Sequence, residues 1–215
     1  MDNVDDCDII WWISKKMFPT KFPQGNKNKL RCVVYPNPGN TESLSSLNVN
    51  LQSMKPMERL GYVYKLDSGK VFVPEVKDFY AKSIASKNWT GSDEWGFFDL
   101  EASNYLIPGY RNVFVVLTDG YIYEKNNIGP KENQHLYRNM YKCLKDSKGE
   151  IEPITKNYNS AVEVISMELI KKDYNTYQKM VQKRESWYKS MGIVPYSISK
   201  DQQNKYDMLE QIFEF

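Results

Sequence analysis

The run Asn112-Val113-Phe114-Val115-Val116-Leu117 limits what this chain can fold into more than any other segment. After Asn112 it is continuously apolar, without alternation, and it is bounded by loops, which predicts a strand buried on both faces. A second such run, Ala161-Val162-Glu163-Val164-Ile165-Ser166-Met167, leads into a helical pattern. In that pattern Tyr177, Val181, Arg184, Trp187, Tyr188 and Met191 share one face, and Gly192 stops it. Strands alternating with helices call for a mostly parallel sheet covered on both sides.

The rest of the chain fits that plan. Ile9, Ile10, Ile13, Met17 and Phe18 predict a helix over 5–18, stopped by Pro19. Leu30–Tyr35 predicts a strand ended by Pro36. Residues 40–60 carry little pattern. Gly61–Leu66 and Val71–Val73, on either side of Asp67-Ser68-Gly69, predict a hairpin. Val76, Phe79, Tyr80 and Ile84 then recur at helical spacing, and Ser92 is a candidate N-cap for a helix through Trp95, Phe98 and Leu100. Ile193–Ser199 predicts a short edge strand, and Met208, Leu209, Ile212 and Phe213 a C-terminal helix. The 215 residues are read as a single α/β domain.

Charge narrows the partner class. With 29 basic and 27 acidic side chains, scattered rather than clustered, nothing favours nucleic acid. No apolar run approaches the length of a membrane span. The acidic start, Met1–Asp6, lacks a signal peptide's basic and apolar regions, and Cys7, Cys32 and Cys143 are far apart, so a cytoplasmic setting is expected.

Parallel sheets of this type bind ligands outside the carboxyl ends of their strands. Leu117-Thr118-Asp119-Gly120 places a carboxylate at such an end, and Gly120 lets the backbone turn away. This resembles the fourth strand of the von Willebrand factor A-type domain, a three-layer, Rossmann-like fold. In that family the aspartate of such a run belongs to a metal-ion-dependent adhesion site, where a cation such as Mg²⁺ is completed by a partner's carboxylate. Gly91-Ser92-Asp93 is similar to the family's second element. The resemblance therefore implies metal contacts from Asp119 and Ser92, with Thr90 as a nearby substitute, and a protein partner.

The first element departs from the family. Asp2-Asn3-Val4-Asp5-Asp6 stands where Asp-x-Ser-x-Ser is expected, so either the first strand is lacking or the site is degenerate. Met167–Leu169 and Trp187–Gly192 look like a divergent bacterial branch of these domains with no assigned activity.

The expected binding edge comprises loops 37–43, 89–93 and 118–124, with Thr118 and Gly120 shaping it and Tyr121 and Tyr123 as aromatic anchors. The rival expectation is a hydrolase with Asp119 and Glu168 as acid and base. A third is a structural scaffold that binds nothing. His135 reads as a polar-stretch residue, and Cys143, between Lys142 and Lys145, as a surface thiol.

Overall fold

The computed structural model describes residues 3–21, 25–36, 46–85, 91–124, 134–169 and 173–214. The chain divides into two units, Met1–Trp89 with Phe213–Phe215, and Thr90–Ile212.

The first unit opens with helix α1 (Asn3–Met17), whose Lys15 and Lys16 lie in the last turn, where cations suit the helix dipole. Strands β1 (Lys29–Val33) and β2 (Ser46–Asn50) pair antiparallel, from Lys29 opposite Asn50 to Val33 opposite Ser46. Two helices follow, α2 (Pro56–Asp67) and α3 (Val73–Ala85). Cys7, Phe18, Val49, Leu51, Val63, Leu66, Phe72 and Val76 form the unit's buried cluster.

Helix α2 overturns the hairpin expected over 61–73. Pro56 opens it, where its missing N–H costs nothing, and the Lys55 amide donates to Glu58 Oε2 at 3.1 Å. Val63 and Leu66 are both buried, and Tyr64 is exposed, so the inward spacing is three rather than two. Asp67-Ser68-Gly69 does turn the chain, but as a helix end. Gly69 has φ +68°, and the Lys70 amide reaches back to Lys65 O at 2.7 Å.

The second unit begins with β3 (Gly91–Ser92) and a short helix, α4 (Glu94–Gly96), that continues as irregular turns through Tyr105. Then come β4 (Asn112–Leu117), β5 (Tyr123–Glu124), β6 (Leu136–Tyr137), α5 (Met140–Lys145) and β7 (Glu150–Ile151). The chain ends with β8 (Val162–Leu169), α6 (Tyr174–Ser190), β9 (Val194–Ser199) and α7 (Lys205–Phe213).

The sheet order is β4-β8-β9, all parallel, with Asn112 opposite Val162 and Leu117 opposite Met167. The molecule is thus mixed α/β, with α6 connecting two parallel strands. The strand buried on both faces is β8, where Val162, Val164, Ile165, Met167 and Leu169 are all fully buried. The same expectation for 113–117 is corrected. β4 lies at an edge of this sheet among the described residues, and each of its residues is only partly buried.

An aromatic knot packs the turns after α4 against β4 and α6. The Phe98 ring meets Phe97, Phe114, Tyr158, Trp187 and Tyr188 edge-on, with centroids 5.3–6.3 Å apart. Trp95 Nε1 and Trp187 Nε1 both donate to Glu152 O, at 2.8 and 3.1 Å. Among the described residues no helix is long and apolar enough to cross a membrane.

Candidate functional site

The carboxyl end of β4 is locked by short-range hydrogen bonds. The Thr118 amide continues the ladder to Met167 O at 3.0 Å, and its buried hydroxyl accepts from the Gly120 amide at 3.1 Å. Asp119 Oδ1 accepts from the Tyr121 amide at 2.9 Å, an Asx-type turn. Gly120 has φ +91°, and a Cβ there would stand 2.5 Å from Met180 Sδ of α6. The backbone conformation favours glycine, and a side chain there would also require the end of Met180 to move.

The two sequence runs meet. β3 pairs antiparallel with β5, so Ser92 stands opposite Tyr123 and Gly91 opposite Glu124. Ser92 is therefore a ladder residue. The N-cap expected of it belongs to Asp93, whose side chain accepts from the Gly96 amide at 2.9 Å. Thr90 and loop 37–43 lie outside the described residues, and so does the Glu168 side chain, whose backbone is in β8.

The aromatic anchors divide. Tyr121 is 6% exposed and stacks on Tyr141, with centroids 4.3 Å apart, so the expectation that it faces a partner is corrected. Tyr123 is 44% exposed.

Beneath the turn lies a group that the sequence did not single out. Arg184 of α6 is fully buried. Its Nη2 donates to Glu94 Oε1 at 2.7 Å and Ser166 Oγ at 3.1 Å, and lies 3.2 Å from the Tyr188 hydroxyl. Its Nη1 reaches Gly120 O at 3.4 Å. The Tyr188 hydroxyl donates to the same Glu94 Oε1. Glu94 Oε2 and Arg184 Nε have no hydrogen-bond partner among the described residues.

Burial opposes the guanidinium's charge, but the Glu94 carboxylate, with Tyr188 and Asp119, outweighs it and holds its pKa above the ordinary arginine value. Burial first, and Glu94 second, push the Tyr188 hydroxyl well up, so it remains a donor. The available signal was Arg184 itself, a charged residue at an inward position of an amphipathic helix. Such a residue is almost never buried unpaired.

A hard divalent cation needs several convergent oxygens. Thr118 Oγ1 and Asp119 Oδ1 are engaged by backbone amides, and a buried guanidinium lies against the same turn. Among the described residues no three His, Cys, Asp or Glu side chains converge. These donors do not make a divalent-cation site among the described residues.

Two other groups resolve differently. His135 Nδ1 lies 2.6 Å from Asp146 Oδ2, which also accepts from the Tyr137 hydroxyl at 2.8 Å. These hydrogen bonds, that to His135 foremost, hold Asp146 down to about 2. Cys143 is fully buried rather than at the surface, and burial pushes its thiol up to about 11, the opposite of activation. Comparison with protein-family models, curated protein sequences and solved structures found no match to the chain.

Proposed function

We propose that this chain is a non-enzymatic protein-binding domain of von Willebrand A-like, three-layer, Rossmann-like architecture. It engages its partner at the carboxyl edge of the β4-β8-β9 sheet. The observation that carries this reading is the β3–β5 pairing, which brings Gly91-Ser92 and Tyr123-Glu124 together beside the Thr118–Gly120 turn. Ligand sites of open parallel sheets lie at this end of the strands.

In this reading Asp119 and Tyr123 face the partner, while Thr118, Gly120 and Tyr121 hold the turn's shape. Tyr123 contributes the amphipathic contact area typical of interface anchors, and Tyr141, 46% exposed and stacked on Tyr121, extends it. In this reading the edge works without a divalent cation, because a buried guanidinium already lies against its turn at Gly120.

Variants at the two ends of the sheet test the reading. The immobilised chain is compared with Tyr123→Ala, Asp119→Ala and Val194→Ala for retention of proteins from the source organism's lysate. Val194 is exposed at the opposite end of the sheet. A protein retained by the wild type and Val194→Ala, and lost from the two edge variants in folded form, is the expected result. Equal retention by all four would discard the reading.

A further inference from the structure

We propose that Arg184 is the built-in cation of the binding edge. Its guanidinium is the positioning group that sets the turn over Thr118–Tyr121 and makes the edge independent of metal. The proposal deepens the reading above and rests on it only for the location of the edge.

The geometry carries it. One side chain, reaching up from α6, touches the three segments that must agree if the edge is to hold its shape. Nη1 meets the turn at Gly120 O, and Nη2 meets Glu94, which stands two residues after Ser92, and Ser166 on the central strand β8. A planar guanidinium can do this because its donors fan out in fixed directions, whereas an ammonium presents one compact charge. Asp119 lies within electrostatic range of the same group. The Glu94 carboxylate and the Gly120 carbonyl, one from each side of the edge, therefore face one buried positive charge. A divalent cation would do the same work, drawing separate oxygen-bearing segments together.

The positions of the contacts make this more than a core ion pair. A buried Arg–Glu pair elsewhere in the helix would hold α6 to α4 and leave the turn alone. Here Gly120, whose left-handed backbone turns the chain, presents its carbonyl to the guanidinium, so the chain reversal and the cation meet. Any change in Arg184 should therefore appear at Gly120 and Tyr121 as well as at Glu94 and Ser166.

The test uses Mn²⁺ as the probe, followed by paramagnetic resonance and by the melting temperature of the intact chain. The wild type is expected to give no bound-Mn²⁺ signal and no shift in melting temperature with millimolar Mn²⁺ or with chelator. Arg184→Gln removes the charge and leaves Glu94 and Ser166 around the vacated position. It should acquire Mn²⁺ binding, with a rise of about 5 °C at saturating metal. Adding Glu94→Gln should abolish that gain. Arg184→Lys keeps a charge and should stay blind to Mn²⁺, with faster amide exchange at Gly120 and Tyr121 than the wild type.

Mn²⁺ bound by the wild type and lost in Asp119→Asn would overturn the proposal, and that arm needs no destabilised variant. A folded Arg184→Gln that ignores Mn²⁺, with unchanged exchange at Gly120 and Tyr121, would overturn it equally. Because neither readout involves a partner, failure here leaves the retention experiment standing, and the converse also holds.

Discussion

Gly120 was legible as a turn residue from its place after a strand, but its neighbours were not. The sequence cannot show that the end of Met180 would have to move to admit a Cβ. Gly120→Ala forces a side chain onto a left-handed backbone, so it should cost about 1–3 kcal/mol in denaturant unfolding. A loss below about 1 kcal/mol would mean that the turn is looser than described. Asp119 and Ser92 were found by motif, and the structure gives their runs one shared location. It also gives Ser92 a ladder position and hands its expected cap to Asp93. Arg184 and Glu94 were hidden for a physical reason. Each is unremarkable alone, and only a contact across 90 positions of chain makes them a pair. The inward position of Arg184 was visible, but what it met there was not.

Long periodic elements were the most legible. The amphipathic spacing over 177–191 became α6, the apolar run over 161–167 became β8, and the expected edge strand became β9. The failure at 61–73 shows the limit of short apolar runs. Tyr62-Val63-Tyr64-Lys65-Leu66 satisfies an alternating reading and a helical one at once, and the deciding features lie upstream, at Pro56 and Glu58. Gly61 distinguishes the two structures. It sits exposed inside α2, with nothing within 4 Å of a built Cβ. Gly61→Ala should therefore stabilise the protein by about 0.5–1 kcal/mol, through helix propensity and the less flexible unfolded chain. A neutral or destabilising result in equilibrium unfolding would contradict the helix.

At the scale of the whole molecule, stability should fall on the acid side through carboxylates of the second unit. Asp146 is held down to about 2 by its hydrogen bonds, first to His135, and the Arg111 guanidinium lowers Glu163 through bonds of 2.6 and 2.8 Å. A depressed carboxyl contributes stability that is present above its unfolded value and lost as pH falls through its folded one. The unfolded values are 3.8 for Asp146 and 4.5 for Glu163, so the loss begins near pH 4.5 and runs to about 2. Asp146→Asn and Glu163→Gln should each flatten the acid limb of the stability curve and leave it unchanged near neutrality apart from a constant offset. A variant curve parallel to the wild type through that window would show that these groups do not set it.

The claim on which the account turns is that the edge built from residues 91–94 and 118–124 is the surface that meets another protein. Photo-crosslinking reads it directly, with p-benzoylphenylalanine placed at Tyr123 in one preparation and at Val194 in another, each irradiated in the source organism's lysate. A discrete crosslinked protein is expected from position 123, absent when Asp119→Ala is added, and none from position 194. A crosslinked partner from 194 alone, or the same partner from both positions, would contradict it.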